Sequence, residues 1–325
     1  MYSEKIFSVK SEAEFQALAF EIFAYQYQNN KVYRQFCELL KKSPGQLRKL
    51  EDIPFLPIEF FKSHRLISSQ AEPEIIFTSS GTTGNQTSKH YVTDLKLYEK
   101  SFSRAFKNVY GDPEDLVILA LLPSYLERTG SSLIYMANAL IKKSQHPESG
   151  FYLNNLDELQ QTLEKVESGG KKTLLIGVSF ALLDLVERHR FNLEHTLIME
   201  TGGMKGRRRE MIRTELHEIL CKGFGVPAIH SEYGMTELLS QAYSTGDGLF
   251  EGPPWMKILI RDSEDALSLL PKHKTGGINI IDLANFNSCS FIATQDLGRN
   301  TGSGKTEILG RFDNSDIRGC NLLIL

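Results

Sequence analysis

Long apolar runs, a surplus of one charge and metal-type cysteine spacing are all lacking in this sequence. No run reaches the ~20 apolar residues of a membrane-spanning helix, and the charged start "MYSEKIFSVKSEAEF" has no signal-peptide core. The net charge of −3 lacks the basic excess of a nucleic-acid binder. The cysteines are scattered, at Cys37, Cys221, Cys289 and Cys320. We therefore expect a cytoplasmic protein with reduced thiols, no membrane span and no nucleic-acid partner.

The apolar segments that are present alternate between strand-like and helical patterns. The strand-like runs "DLVILALLPS", "KKTLLIGVS" and "HTLIMETGG" each precede a helical stretch, which predicts an α/β fold with mainly parallel sheets flanked by helices. From about Phe250 short strands and turns follow one another. The pattern predicts an α/β region over residues 1–249, a smaller β-rich subdomain of the same body over 250–309 and a short tail over 310–325.

A loop rich in small polar residues follows the apolar run that ends at Phe77. Residues Ser79 to Thr87 hold five hydroxyl side chains and two glycines, with no acidic residue. Backbone N–H groups freed by glycine form concavities that bind anions, and hydroxyl groups add further donors. The composition therefore favours a phosphate-binding loop. A solvated Ser/Gly linker has the same composition and stays an alternative here.

Three later segments carry polar residues at strand ends. In "AIHSEYGMTELL" the loop from Tyr233 to Glu237 offers an aromatic ring to a base, the Thr236 hydroxyl to a phosphate and a carboxylate to Mg2+. In "FIATQDLG", Asp296 is suited to ribose hydroxyls or to capping its own turn. In "LGRFDNSDIRGC", Arg311 is suited to phosphate or ribose, or to an ion pair with Asp313 or Asp316.

The order of these four segments resembles the adenylate-forming superfamily of acyl- and aryl-CoA ligases. Within it, the chain is most similar to the acyl-protein synthetase family of bacterial bioluminescence, the long-chain fatty acid–luciferin-component ligases. The segments that carry this resemblance are "FLPIEFFKSH", "TSSGTTG", "LLPSYLERTGSSLIYMA", "EYGMTE", "TQDLG" and "IRGC". It extends over nearly the whole chain from about residue 50, and its specificity lies in the ordered set.

The resemblance implies a site for ATP and Mg2+ within the α/β and β-rich regions. The residues that would cradle the ATP phosphates are Ser79, Ser80, Gly81, Thr82, Thr83 and Gly84. Gly202 and Gly203 would line the adenine and acyl pocket. Tyr233, Thr236 and Glu237 would take the base, the α-phosphate and Mg2+ respectively. Asp296 and Arg311 would hold the ribose.

Two features depart from the wider superfamily. The glycine loop continues as "GNQTSK" and lacks the usual Pro-Lys pair, and the sequence after Gly319 leaves no room for the mobile C-terminal domain with its catalytic lysine. We therefore expect the N-terminal type of domain alone. Acyl-protein synthetases transfer the acyl group to a cysteine of their own near the C-terminus, and Cys320 stands at the matching place. From the residues alone, Cys320 is equally compatible with a small apolar residue in a final strand.

The leading hypothesis is an ATP-dependent acid–thiol ligase. It would activate a fatty or related carboxylic acid as acyl-AMP and transfer the acyl group to Cys320, with Thr236 and Glu237 as the other catalytic residues. The resemblance also implies a partner of the acyl-CoA reductase type or a carrier protein. Two alternatives stay open: an acyl- or aryl-CoA or carrier-protein ligase, and a non-catalytic protein that binds a nucleotide or a partner with a degenerate adenylate-forming fold.

Overall fold

The computed structural model describes residues 2–79, 87–123, 130–153, 155–202 and 211–311. Within these residues the chain forms two compact units that are interleaved along the sequence. The central unit comprises Phe102–Met235 and Gln241–Phe250, and the terminal unit comprises Met1–Ser101, Thr236–Ser240 and the described residues from Glu251 onward. The division into residues 1–249, 250–309 and 310–325 stays a prediction.

The regular elements are numbered along the chain. The helices are α1 (Tyr2–Ile6), α2 (Glu12–Asn29), α3 (Lys31–Leu39), α4 (Phe60–Ser63), α5 (Leu95–Tyr110), α6 (Ser132–Ser144), α7 (Leu156–Ser168), α8 (Ser179–Arg188) and α9 (Arg213–Phe224). The strands are β1 (Leu56–Pro57), β2 (Ile75–Thr78), β3 (Lys89–Val92), β4 (Val117–Leu121), β5 (Gly150–Tyr152), β6 (Thr173–Val178), β7 (Thr196–Thr201), β8 (His230–Tyr233), β9 (Ala242–Ser244), β10 (Leu249–Phe250), β11 (Met256–Arg261), β12 (Thr275–Asp282), β13 (Phe291–Asn300) and β14 (Thr306–Arg311).

The central unit contains a six-stranded sheet in the order β5-β4-β6-β7-β8-β9. The first five strands run parallel, and β9 lies antiparallel to β8 at the edge. Every residue of β4 and β6 is buried, which explains their continuous apolar sequences, because a parallel strand covered on both faces has no solvent side. The predicted α/β fold with a mainly parallel sheet is confirmed.

The terminal unit contains an antiparallel sheet in which β11, β12, β13 and β14 are consecutive neighbours. The short strand β1 pairs in parallel with β13, through Leu56 opposite Ile292. This sheet matches the β-rich part expected after Phe250. The turn between β13 and β14 is closed by the bond from Thr301 N to Lys305 O, so the segment "TGSGKTE" is a hairpin loop.

Two helices near the start of the chain support the segment 285–290 of the terminal unit. Asn30 ends α2, because its N–H donates to Gln26 O, and it begins α3, because its Oδ1 accepts from Tyr33 N. Its Nδ2 donates to Ser288 O, and Gln26 Nε2 donates to the carbonyls of Asn285 and Phe286. Both amide side chains are buried. They satisfy carbonyl groups that would otherwise be buried without donors.

The contact between α8 and α9 in the central unit leaves no room for a side chain at Gly223. An ideal Cβ there would lie 2.4 Å from Val186 Cβ. We expect Gly223→Ala to lower the free energy of unfolding by about 1–3 kcal/mol, since overpacking outweighs the better helix propensity of alanine. Urea denaturation measures the change. Gly150→Ala is the control, because nothing lies within 4 Å of an added Cβ there. A Gly223→Ala variant as stable as the control would contradict this packing.

Candidate functional site

The described residues include about half of the predicted site. Those that can be placed are Ser79, Gly202, Tyr233, Thr236, Glu237, Asp296 and Arg311. Those that lie outside the described residues are Ser80, Gly81, Thr82, Thr83, Gly84, Gly203 and Cys320. Four of the placed residues that carry side-chain chemistry, Thr236, Glu237, Asp296 and Arg311, belong to the terminal unit, whereas Gly202 and Tyr233 belong to the central unit.

The strands on either side of the predicted phosphate loop form an antiparallel pair. Strands β2 and β3 are antiparallel, with Thr78 opposite Lys89. Beyond them Ser79 N donates to Ser88 O at 3.2 Å, and Ser88 N donates to Ser79 Oγ at 3.0 Å. The Ser79 hydroxyl therefore closes the base of the loop by accepting a backbone hydrogen bond.

Glu237 lies beside this base, and its carboxylate is buried. The Ser88 side chain forms a hydrogen bond with it. Burial raises the pKa of Glu237, while the bond with Ser88 and the positive charge of Arg311 act to lower it. The negative charge of Asp296 adds to the rise. Glu237 is thus a desolvated carboxylate exposed to the negative charge of a second carboxylate, and a divalent cation would stabilise it.

Asp296 and Arg311 face each other across the pair β13–β14. They are register partners, and Arg311 Nε lies 3.7 Å from Asp296 Oδ1. The Arg311 side chain is 77% exposed and that of Asp296 only 12%, so the guanidinium group is accessible to a ligand while the carboxylate is held in place. The structure thus brings Glu237, Asp296 and Arg311, from three separate stretches of sequence, into one electrostatic cluster.

A buried histidine and asparagine hold the main chain at Thr236 and Glu237. His90 Nδ1 lies 2.8 Å from Thr236 O, and His90 Nε2 lies 3.0 Å from Asn285 Oδ1. Asn285 Nδ2 donates to Glu237 O at 2.8 Å and to Cys289 O at 2.9 Å, which fixes the orientation of the amide. No sequence pattern indicates this arrangement, because His90 and Asn285 are 195 positions apart.

Both partners of the His90 ring are therefore hydrogen-bond acceptors. A neutral imidazole carries one N–H group and can donate to only one of them. Burial lowers the pKa of His90 to about 4, against the bonds with Thr236 and Asn285, which act to raise it. At neutral pH the ring is thus uncharged. One of its two nitrogen atoms then faces an acceptor oxygen without a hydrogen atom to donate.

Asp282 holds the other end of the same segment. Its carboxylate accepts from Leu239 N at 2.8 Å, Ser240 N at 3.0 Å and Ser240 Oγ at 2.6 Å. Burial raises the pKa of Asp282 to about 6, although these bonds act to lower it. The segment Thr236–Ser240 is consequently anchored to the terminal unit at both ends.

In the central unit, Gly202 follows the end of β7, and Tyr233 is the last residue of the neighbouring parallel strand β8. Gly202 has a φ of +66°, and its carbonyl accepts from Ser179 Oγ at 2.8 Å. The half-buried Tyr233 ring lies edge to face with Phe250, with centroids 6.1 Å apart. His230 lies on β8 with its Nδ1 3.3 Å from Tyr110 OH, which is a structural role.

A second buried carboxylate network lies on the same sheet. Glu200 is close to Arg213, at 3.6 Å, and to His217, at 3.7 Å. Burial works to raise the pKa of Glu200, but the bond with His217 and the charge of Arg213 lower it overall. Glu200 is therefore an ionised, internally compensated group, which fits a structural role.

Metal and membrane features were also sought in the described part of the chain. Over residues 2–79, 87–123, 130–153, 155–202 and 211–311, no group of three or more His, Cys, Asp or Glu residues is placed to hold a metal ion. Within those same ranges no helix is both long and apolar enough to cross a membrane.

Comparison with known proteins supports the resemblance seen in the motifs. The family model for the acyl-protein synthetase LuxE matches residues 7–325. A long-chain-fatty-acid–luciferin-component ligase from Vibrio harveyi is 25% identical over 324 residues, which covers 92% of this chain and 84% of that protein. A protein of the same description from Photorhabdus luminescens is 37% identical over 68 residues, which covers 21% of this chain and 58% of that protein.

Solved structures share the fold at low sequence identity. A 2-hydroxyisobutyryl-CoA ligase in complex with 2-HIB-AMP is 12% identical with a TM-score of 0.71, covering 93% of this chain and 68% of that one. ATP-bound MatB from Rhodopseudomonas palustris is 19% identical with a TM-score of 0.55, covering 73% of this chain and 47% of that one. The chain thus spans about half the length of MatB. The predicted N-terminal fold of an adenylate-forming ligase is confirmed.

The uncharged state of His90 has a consequence for stability. Because the folded-state pKa of about 4 lies below the ordinary 6.5, the unfolded chain binds a proton first as the pH falls. The contribution of His90 to stability is complete above pH 6.5 and is lost towards pH 4, by roughly 1.4 kcal/mol per pH unit. We expect His90→Asn to lack this loss, measured as the wild-type-minus-variant difference in the free energy of unfolding.

The exposed His195 provides the control variant, His195→Asn, which should keep the wild-type slope. Subtraction removes the contributions of Asp282 and other carboxylates with raised pKa values, which have the opposite sign. If the free energy of unfolding depended on pH in the same way in wild type and His90→Asn between pH 6.5 and 4, His90 would not be held neutral.

Proposed function

This chain belongs to the LuxE acyl-protein synthetase family, and we propose that it activates a fatty or related carboxylic acid with ATP and transfers the acyl group to its own Cys320. The observation that carries this proposal is the cluster of Glu237, Asp296 and Arg311 beside the base of the Ser79–Ser88 loop. A partner that accepts or reduces the acyl group, and a cytoplasmic location, belong to the same proposal.

The first step joins two anions. A carboxylate oxygen of the acid attacks the α-phosphorus of ATP, the bond from that phosphorus to the bridging oxygen breaks, and pyrophosphate leaves with the electron pair. The products are the acyl adenylate and pyrophosphate. The task of the protein is to align the two anions and to offset their charge, since no proton moves in this step.

Each of the predicted site residues would have a role in that step. The loop Ser79–Gly84 would cradle the phosphates, and Thr236 would donate to the α-phosphate. Asp296 and Arg311 would hold the ribose, which suits a fixed carboxylate beside an accessible guanidinium group. Tyr233, with Gly202 and Gly203, would contain the base. The rigid anchoring of Thr236–Ser240 supports such alignment, because a preorganised site does not reorganise during the reaction.

The residues present also fit Mg2+. Glu237 is a buried carboxylate whose pKa burial raises and a second carboxylate raises further, so a bound cation would relieve an existing repulsion. Glu237 would hold the ion together with phosphate oxygens. When bound, Mg2+ would neutralise charge on the phosphates.

The second step transfers the acyl group to sulfur. The thiolate of Cys320 attacks the acyl carbon, the bond from that carbon to the AMP oxygen breaks, and AMP leaves with the electron pair. The thiol proton is lost to solvent before the attack, because the thiolate is the nucleophile. The product is an acyl thioester on the chain.

The first test concerns Glu237. We expect Glu237→Gln to lower the rate of acid-dependent ATP–pyrophosphate exchange by about 10²–10³-fold, because the variant keeps the shape of the side chain and loses the charge that would hold Mg2+. Glu218→Gln, at an exposed position of α9, is the matched control and should keep the wild-type rate. Exchange by Glu237→Gln within roughly twofold of the control would remove Glu237 from the site.

The second test concerns the acceptor. Incubation with ATP, Mg2+ and a labelled fatty acid should place hydroxylamine-labile label on the chain. We expect Cys320→Ser to abolish this label and to retain exchange, because only the second step needs the thiol. Cys221→Ser is the control, at a partly exposed cysteine elsewhere. Label that persists in Cys320→Ser would refute the acceptor, and a requirement for CoA would favour a CoA ligase. No exchange with any acid would favour a non-catalytic protein.

A further inference from the structure

The parallel strands β7 and β8 end side by side at the carboxyl edge of the central sheet. In their register Thr201, the last residue of β7, lies opposite Glu232. Ligands of parallel α/β sheets bind beyond this edge, against the segments that follow the strands. Gly202 follows β7 and Tyr233 ends β8, and the proposed function assigns both to the base of ATP. Whatever fixes these two strand ends therefore fixes the place proposed for the base.

The side chain of Glu232 contacts both strand ends. Its Oε2 accepts from Thr201 Oγ1 at 2.5 Å. Its Oε1 lies against Gly234, the residue after β8, since an ideal Cβ on that glycine would be 2.4 Å from this oxygen. Glu232 is 9% exposed and Thr201 only 3%, so little water competes for the bond between them. One buried carboxyl group thus joins the end of β7 to the chain that leaves β8.

The opposite face of the sheet carries a separate set of polar contacts. Side chains alternate along a strand, so Glu200 lies on the face opposite that of Thr201. There the side chain of Ser231 forms a hydrogen bond with Glu200. Ser179 Oγ lies 3.2 Å from Glu200 Oε2 and 2.8 Å from Gly202 O. The two strand ends are therefore held from both faces, and the bond from Thr201 to Glu232 provides the hold on one of them.

This bond does not depend on the charge of the carboxyl group. Burial raises the pKa of Glu232 to about 7, the bond from Thr201 acts to lower it, and the negative charge of Glu200 adds to the rise. Near neutral pH both forms are thus populated. A protonated carboxyl group holds its proton on one oxygen and accepts with the other, so Thr201 donates to Glu232 in either form. Glutamine, which is uncharged and has an acceptor oxygen, can take the same place.

We propose that Thr201 and Glu232 are positioning residues for the base of ATP, because their hydrogen bond holds Gly202 and Tyr233 at the spacing that the base requires. This inference rests on the proposed function, since it takes the base of ATP as the ligand of these segments. It adds two residues that act through their neighbours on the chain. The base is unchanged in the reaction, so loss of this positioning weakens ATP binding and leaves the chemical step alone.

The other end of β7 provides a matched control. Thr196 is the first residue of this strand, and its Oγ1 donates to Glu167 Oε2 at 2.8 Å. Thr196 is buried, as Thr201 is. Valine has nearly the shape of threonine without the hydroxyl group. Thr196→Val and Thr201→Val therefore remove the same kind of bond from opposite ends of one strand. Both should lower stability, but only Thr201→Val should affect the nucleotide.

The experiment measures KM for ATP in ATP–pyrophosphate exchange at a saturating concentration of a fatty acid. We expect Thr201→Val to raise this KM about tenfold, the ratio that one buried hydrogen bond supplies, with kcat unchanged. Thr196→Val should stay within roughly twofold of the wild type. Glu232→Met should behave as Thr201→Val does, whereas Glu232→Gln keeps the acceptor and should keep the wild-type KM. Inhibition by adenosine should weaken in Thr201→Val, and inhibition by tripolyphosphate, which has no base, should not.

The other outcomes would overturn the inference or replace its readout. An equal rise of KM in Thr196→Val and Thr201→Val would make the bond a structural one only, and unchanged inhibition by adenosine in Thr201→Val would remove the base as its ligand. Should Thr201→Val not fold, Glu232→Gln and Glu232→Met make the same comparison. Absence of exchange with every acid would defeat the proposed reaction instead. Calorimetric Kd values of ATP for wild type and Thr201→Val would then test the positioning alone, and a wild type that binds no ATP would overturn it as well.

Discussion

The fixed position of the segment Thr236–Ser240 is the constraint on which the rest of the candidate site depends. This segment belongs to the terminal unit, although the residues before and after it belong to the central unit. Four backbone groups are held by side chains of His90, Asn285 and Asp282, and these three side chains are buried. Because buried hydrogen bonds are costly to break one at a time, the segment is fixed as a unit. The hydroxyl of Thr236 and the carboxylate of Glu237 are attached to this fixed segment.

The buried carboxylates of the molecule fall into two kinds: those whose charge the fold compensates and those whose charge it does not. Glu200 has the cationic Arg213 and the ring of His217 as neighbours, and Asp282 accepts several backbone and hydroxyl hydrogen bonds. Glu237 instead lies near a second carboxylate, and burial raises its pKa. Glu232 likewise has a pKa raised by burial. Groups that the fold leaves electrostatically unsatisfied are candidates for ligand binding, because the ligand supplies what the fold does not.

The fold was predictable from sequence where one local pattern decided the structure. Continuous apolar runs at β4 and β6 indicate parallel strands with both faces covered, and they are found so. The ordered motifs also predicted one site for Glu237, Asp296 and Arg311; the three groups influence one another electrostatically, and their roles stay a prediction. The support for the site was not predictable, because His90 and Asn285, or Asp282 and Ser240, are polar pairs with no periodicity.

Asn30 joins α2 to α3 and also donates to Ser288 O, so the start of the chain helps to support the candidate site. Asn30 and Gln26 donate to carbonyl groups of Ser288, Asn285 and Phe286, next to the asparagine that holds Glu237. Helices α2 and α3 therefore support the candidate site. The recognisable motifs of that site all begin some forty residues later. A shortened version trimmed to those motifs would keep every residue proposed to contact ATP and yet lose the helices that support them.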